Sequence, residues 1–154
     1  MNNWNGIPQP LRSAIIVFPV LVLSLLAGCK SSPKQLEISV EDVWSRPAPS
    51  GSNGVVYLVI LNKGGAPDRL LSVRTDLART AEIHETRMQD DVMRMQPVEG
   101  ALEVPPDSQV EFKPGATHIM LIGLKRALQA GETLQLILKF EKSGERVIES
   151  EIRG

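Results

Sequence analysis

The chain has 154 residues, which is enough for one domain of ordinary size and too few for two. Its 17 basic and 18 acidic residues nearly cancel, and the basic residues are scattered singly without interleaved aromatic side chains. No strong field attracts a polyanion, so nucleic acid is excluded as a partner.

The first predicted element is an apolar segment that follows Arg12 and runs from Ala14 to Gly28. It is shorter than the roughly 20 residues that a membrane-spanning helix needs, and Pro19 interrupts it. A modestly positive start followed by a short apolar run is typical of a secretory signal. Residues 1–28 are therefore interpreted as a signal peptide that the mature protein lacks.

Cys29 follows this segment, and Leu26-Ala-Gly-Cys29 resembles the bacterial lipobox, in which the cysteine is diacylated and becomes the mature N-terminus. The alternative is an unpaired or buried cysteine. Lipidation predicts a membrane-anchored protein that faces the periplasm, with residues 29–35 as lipidated cysteine and tether. Lys30 stands where aspartate would favour retention in the inner membrane, which weakly favours the outer membrane.

From residue 36 onward the sequence predicts short strands separated by turns. The predicted strands are residues 36–44, 54–62, 69–74, 80–85, 92–95, 109–112, 117–124, 133–140 and 146–152. The last two are predicted to form a hairpin around Lys142-Ser-Gly-Glu145. Strands of this length and spacing, without a convincing amphipathic helix, predict an all-β sandwich or barrel over residues 36–154.

Both histidines and four of the five methionines fall between residues 84 and 120. Their segments are His84-Glu-Thr-Arg-Met88, Met93-Arg-Met95 and His118-Ile-Met120. Residues two apart on a strand face the same side, so His118 is expected to project together with Met120. Met93 and Met95 share a face for the same reason.

Imidazole nitrogen and thioether sulfur make a soft, uncharged ligand set, and copper(I) is the metal that such a set selects. Calcium and magnesium take oxygen ligands, and structural zinc prefers thiolates with histidine. Blue copper needs a cysteine thiolate, and the mature chain has none to spare. The competing interpretation is ordinary packing of methionines in or on the fold, and it applies most to Met88 and Met93.

Several segments carry a resemblance to a known family. They are Val43-Trp-Ser-Arg-Pro47, Gly54-Val-Val-Tyr-Leu58, Ala81-Glu-Ile-His-Glu85, Val92-Met-Arg-Met-Gln-Pro-Val98, Lys113-Pro-Gly115, His118-Ile-Met-Leu-Ile-Gly-Leu124 and Leu138-Lys-Phe-Glu141. With them the chain resembles the periplasmic copper(I) chaperones that supply copper for the CuA centre of cytochrome c oxidase (PCuAC-like). The family signature is a histidine, ten residues, a methionine, about twenty-one residues, then His-x-Met. The copper(I) ligands that this resemblance implies are His84, Met95, His118 and Met120.

The sequence departs from the family pattern at three places. The gap between Met95 and His118 holds 22 residues, one more than usual, and the extra residue is expected in the turn Glu99-Gly-Ala101. Glu85 stands where many members carry methionine, and the sequence ends without the His/Met-rich tail of some relatives. One copper site is therefore expected, without a strong separate copper(II) site, and Met88 and Met93 are candidate auxiliary ligands.

The resemblance implies a cupredoxin-like Greek-key β-sandwich with the copper site near one exposed end. It also implies a chaperone that releases copper(I) by ligand exchange. The expected partners are a copper acceptor, such as a cytochrome c oxidase subunit or an assembly factor, and the membrane through the lipid anchor. A monomer is expected.

Two other functions are compatible with the sequence: a copper buffer for copper tolerance, and an immunoglobulin-like interaction lipoprotein that binds no metal. An enzyme is disfavoured, because the sequence shows no Ser/His/Asp set, no nucleotide-binding loop and no cysteine pair. Glu82 and Glu85, which flank His84, are interpreted as charges on the solvent face of a strand rather than acid/base groups.

Overall fold

A computed structural model of the chain describes residues 35–89 and 91–154. The predicted signal peptide, Cys29 and nearly all of the predicted tether lie outside the described residues. The strands are β1 (Ile38–Ser45), β2 (Gly54–Asn62), β3 (Asp68–Arg74), β4 (Ala78–Gln89), β5 (Val92–Pro97), β6 (Leu102–Val104), β7 (Ser108–Phe112), β8 (His118–Leu124), β9 (Thr133–Phe140) and β10 (Glu145–Ile152). Within these two ranges no helix has the length and apolar character to cross a membrane.

The strands hydrogen-bond in the order β5-β4-β8-β2-β1-β10-β9-β3-β6, and β7 pairs with the second half of β2. The β1–β10 pair is parallel, whereas the other pairs are antiparallel. Several neighbours, such as β4 with β8 and β3 with β9, are far apart in the chain, as in Greek-key connections. The fold is the predicted all-β, cupredoxin-like Greek-key sandwich.

One aliphatic core holds the sandwich together. Most of its fully buried side chains come from β2, β3, β8, β9 and β10, and they include Val56, Leu58, Ile60, Leu70, Ile119, Leu121, Leu134, Leu136, Leu138, Phe140 and Ile152. On β9 the buried residues alternate with exposed ones, which is the period of a strand with one face on a core. The core rests mainly on valine, leucine and isoleucine, because only 4% of the residues in the chain are aromatic.

The nine predicted strands are present, and the C-terminal hairpin pairs Glu145 with Lys139 as expected. Two details differ. β6 was not predicted, because its three residues are too few to show a period of two. β4 extends to Gln89 rather than ending at residue 85, because β5 continues to pair with it beyond the body of the sheet.

An irregularity in β1 determines which way Trp44 faces. Glu41 lies opposite Val59 and Trp44 opposite Tyr57, so β1 has one residue more than β2 in this interval. Asp42 has a φ of 46° there. A bulge of this kind shifts the alternation, so Val43 packs against the core as Val40 does, and Trp44 turns to the outer face.

Candidate metal centre

The two histidines lie directly opposite each other on neighbouring strands. In the pairing of β4 with β8, His84 is opposite His118 and Glu82 is opposite Met120. Opposed residues project from the same face of a sheet, so His84, His118 and Met120 share the outer face. The two imidazole ring centroids are 6.0 Å apart. Ile83 and Ile119, one position along, point to the other face and enter the core.

Met95 reaches the histidines from the far side of β4. It lies on β5 opposite Thr86, one row from His84 and on the same face. Its side chain extends across β4, and its Sδ lies 3.2 Å from Nε2 of His118. The sequence-predicted residues His84, Met95, His118 and Met120 are thus brought to one face by β4, β5 and β8. We refer to these four residues as the His/Met centre.

Each imidazole uses one ring nitrogen in a hydrogen bond to a neighbouring oxygen and keeps the other nitrogen for another partner. Nδ1 of His118 lies 3.0 Å from the carbonyl oxygen of Ala116, which can only accept. Nδ1 therefore carries the hydrogen, and in the neutral ring Nε2, beside Met95, has a free lone pair. Nε2 of His84 lies 3.1 Å from Oε2 of Glu82, so the free lone pair of that ring is on Nδ1. This Nδ1 is buried without a hydrogen-bond partner.

Exposure differs sharply between the imidazoles and the thioether of Met95. His118 is 3% exposed and the His84 side chain 12%, whereas Met95 is 54% exposed. The imidazoles therefore form the inner part of the centre, and Met95 forms its solvent-facing side.

Within residues 35–89 and 91–154, no group of three or more histidine, cysteine, aspartate or glutamate side chains is placed to hold a metal ion. A metal ion bound by two histidines in this part of the chain needs ligands of another kind. The thioethers of Met95 and Met120 are the sulfur donors that lie on the same face as both imidazoles.

The structure does not place Met88 and Met93 beside the histidines. They lie directly opposite each other near the outer end of the β4–β5 pair, and both are mostly exposed. Of the two carboxylates that flank His84, Glu85 forms an ion pair with Arg87.

Glu82 lies on the outer face of β4 with its side chain 43% exposed, which agrees with its interpretation from sequence as a charge on the solvent face of a strand. In addition, its carboxylate accepts a hydrogen bond from Nε2 of His84. The spacing Glu82-x-His84 on a strand was the signal that could have indicated this. The carbonyl of Ala116 had no such signal, because a backbone group carries no sequence information.

The family model for "Putative lipoprotein LpqE-like" matches residues 38–152. Among curated proteins, the chain is 28% identical over 117 residues to "Putative lipoprotein Lxx21020" of Leifsonia xyli subsp. xyli (strain CTCB07). That match covers 75% of this chain and 70% of the relative. The match of the family model spans all ten strands and the whole His/Met centre.

Solved structures with the same fold include one named as copper-bound and one named as a copper(I) form. The "Apo PCuAC domain from PmoF1" superposes with a TM-score of 0.65 at 28% identity, covering 80% of this chain and 98% of that one. The "Copper-bound PCuAC domain from PmoF2" superposes with a TM-score of 0.64 at 26% identity, covering 80% of this chain and 97% of that one. The copper(I) form "CuI-DR1885" of Deinococcus radiodurans superposes with a TM-score of 0.56 at 25% identity, covering 82% of this chain and 83% of that one.

Proposed function

This chain belongs to the LpqE-like family, and from that premise we propose that it is a copper(I) chaperone. It binds one copper(I) ion at the His/Met centre and passes the ion to an acceptor protein. The protein does not catalyse a reaction on the copper; copper is its cargo.

The contact between His118 and Met95 is the observation that carries this proposal. Nε2 of His118 and Sδ of Met95 each present a lone pair, and they are 3.2 Å apart. With Nδ1–H committed to Ala116, no hydrogen is available between them. Two atoms bound to one d¹⁰ ion at about 2.0 Å for nitrogen and about 2.3 Å for sulfur lie about 3.5 Å apart at a tetrahedral angle and about 3 Å apart at a right angle. The spacing therefore suits two ligands of one ion.

The chemistry of the four side chains favours copper(I) over other ions. Two neutral imidazoles and two thioethers offer soft donors without charge, which suits a soft d¹⁰ cation. Glu82 lies behind His84 and supplies one negative charge outside the set of ligands. The copper in the names of two similar structures supports the same metal.

Exposure of Met95 supports delivery of copper rather than permanent storage. An incoming ligand from an acceptor can approach the ion on the side of the half-exposed thioether, while the imidazoles hold it from within. We propose that the acceptor is an extracytoplasmic copper protein, such as the CuA site of cytochrome c oxidase or a factor that assembles it.

We further propose that the protein acts as a monomer on a lipid anchor. Residues 1–28 are the signal peptide, Cys29 carries the lipid, residues 29–35 are the tether, and residues 36–154 are the copper-binding domain. The lipobox resemblance and the word lipoprotein in the names of the family and a relative support this arrangement. The domain would face the periplasm, and Lys30 favours an anchor in the outer membrane.

An anaerobic copper(I) competition titration tests the proposal. The protein is the chain from residue 29 with Cys29→Ser, which contains the compact unit Ser32–Gly154. We expect one tight equivalent. His118→Ala and Met120→Ala should each weaken it more than about 100-fold, since even outer partners of metal ligands are worth 10- to 100-fold.

Thr80→Ala is the matched control, because Thr80 lies on the same face of β4 away from the centre. Circular dichroism shows whether each variant is folded. Binding no stronger than that of a weak chelator by the folded parent protein would refute the chaperone proposal and favour an interaction module.

A further inference from the structure

Beyond His84, the β4–β5 pair continues as a two-stranded arm. β8 pairs with β4 only as far as His84, whereas β5 pairs with β4 out to Gln89. We call residues 85–89 and 92–96 the β4–β5 arm. The strand β5 is the edge of the sheet, and every one of its residues is exposed.

Three methionines lie on one face of this arm. Met88 is opposite Met93, and in the next row Met95 is opposite Thr86. All belong to the face that carries His84, because positions two apart on a strand point the same way. The methionines thus form a row that leads from the outer end of the arm to the His/Met centre.

Ordinary packing does not account for these side chains. Methionine usually fills gaps inside a core, but Met88 is 64% exposed and Met93 is 56% exposed. Neither belongs to the aliphatic core of the described residues or packs against it. Their apolar area is left in water, so their position calls for another explanation.

The spacing of the three residues allows their sulfur atoms to meet. Directly opposed residues in an antiparallel pair have Cα atoms about 4.5 to 5.5 Å apart, which applies to Met88 and Met93. Residues two apart on a strand are separated by about 6.5 to 7 Å, which applies to Met93 and Met95. The methionine side chain has three rotatable bonds and can close such a gap around one ion. Three uncharged thioethers select copper(I).

We propose that Met88, Met93 and Met95 form a second, weaker copper(I) site that shares Met95 with the His/Met centre. The inference rests on the proposed function and adds a route for the copper. Met95 holds the ion while the bond to Nε2 of His118 breaks and a bond to a thioether of the arm forms. The copper stays in the +1 state, and no proton or electron needs to move. In release the ion passes outward along the arm, and in loading it passes inward.

Methionine-methyl NMR on the chain from residue 29 with Cys29→Ser tests this site directly. That protein has four methionines, so ¹³C-methyl labelling gives four signals. The first equivalent of copper(I), added without oxygen, should move the signals of Met95 and Met120. A second equivalent, which the remaining lone pair of the Met95 sulfur can help to bind, should move those of Met88 and Met93, with an affinity at least about tenfold weaker. Signals of Met88 and Met93 that stay unchanged at several equivalents would overturn the inference.

Transfer kinetics test the route. The double variant Met88→Leu/Met93→Leu keeps the apolar bulk of the arm and removes two sulfur atoms. We expect its first-site affinity to stay within about twofold of the parent. Transfer of the first copper(I) ion to bathocuproine disulfonate should be about tenfold slower, because one path for ligand exchange is lost. Val92→Leu is the matched control, since Val92 is an exposed apolar residue of the arm without sulfur.

The outcomes separate the two proposals. A parent protein that takes up no tight first equivalent refutes the chaperone function itself. If the parent binds the first ion and the double variant transfers it at the parent rate, only the route is refuted. A double variant that loses the first site places Met88 and Met93 in the His/Met centre and overturns the second site.

Discussion

At the scale of single residues, one hydrogen bond on each histidine fixes the position of its ring in the His/Met centre. The carbonyl of Ala116 holds Nδ1–H of His118, and the carboxylate of Glu82 accepts from Nε2 of His84. Each bond orients its ring and determines which nitrogen keeps a lone pair. Folding takes Nδ1 of His84 out of water and leaves it buried without a hydrogen-bond partner, which costs free energy. An ion bound at this nitrogen would remove that cost.

Another buried polar residue, Asp68, stabilises the fold rather than the site. Its carboxylate accepts hydrogen bonds from the backbone N–H groups of Arg69, Lys142 and Ser143 and from the Ser143 hydroxyl. These contacts join the start of β3 to the turn between β9 and β10. Burial alone would raise the pKa of Asp68, but the four hydrogen bonds outweigh it and lower the pKa below its ordinary value of 3.8.

Asp68→Asn should therefore destabilise the protein by about 2 kcal/mol at pH 7, because an amide cannot accept all four hydrogen bonds. The stabilising effect of the carboxylate is present above about pH 4, the ordinary value, and is lost as the pH falls through the lower pKa of the folded state. Urea unfolding from pH 7 to pH 3 should show the gap between parent and variant closing with acid. Asp76→Asn at an exposed position is the control, and a gap independent of pH would contradict the assignment.

At the scale of elements, the bulge in β1 determines the packing on the outer face of β1 and β2. It turns Trp44 onto Tyr57, with ring centroids 4.5 Å apart, on the outer face of β1 and β2. Asp42, in the bulge, holds Arg153 by an ion pair, and that guanidinium lies 5.7 Å from the Trp44 ring centroid. Without the extra residue, Trp44 would lie on the core face of the strand.

The left-handed backbone at Asp42 gives a test of the bulge. Asp42→Val should lower the free energy of unfolding by about 1 to 3 kcal/mol, because a β-branched residue is strained at a φ of 46°. Asp42→Gly should stay within about 1 kcal/mol of the parent, because glycine adopts this conformation freely. Trp44 fluorescence during urea unfolding measures both. Glu41→Val, on the neighbouring exposed position, is the control, and an equal loss there would argue against strain.

At the scale of the whole molecule, the His/Met centre connects the arm to the sandwich. His118 and Met120 belong to β8, which is anchored in the core through Ile119 and Leu121, whereas Met95 belongs to the exposed edge strand β5. Between them, β4 pairs with both strands. An ion bound by side chains of all three strands would therefore hold β5 to the sandwich, whereas without the ion β5 is hydrogen-bonded to β4 alone among the ten described strands.

Copper(I) should consequently stabilise the protein and protect the arm. At a free concentration 100 times the Kd, a ligand that binds only the folded state adds about 2.7 kcal/mol. We expect a higher Tm and slower amide hydrogen exchange in β5, with little change in β9, which lies elsewhere in the sheet. His118→Ala should abolish both effects. Uniform protection of β5 and β9 would show that the ion does not act through the arm.

Features that depend on neighbouring residues could be predicted from the sequence. The period of two placed His118 and Met120 on one face, because alternation is a local property of any strand. The short strands between turn residues predicted the all-β class, and the soft, cysteine-free ligand set pointed to copper(I). Binding of copper by the four named side chains stays a prediction for the titration to test.

Only the tertiary structure decided which strands meet and in what register. His84 and His118 are opposed because β4 pairs with β8 across a long stretch of chain, and a slip of one residue would put them on opposite faces. The bulge at Asp42 and the protruding arm likewise depend on pairing between strands, of β1 with β2 and of β4 with β5. Register is set by contacts between distant segments, so the amino-acid pattern within any one strand could not determine it.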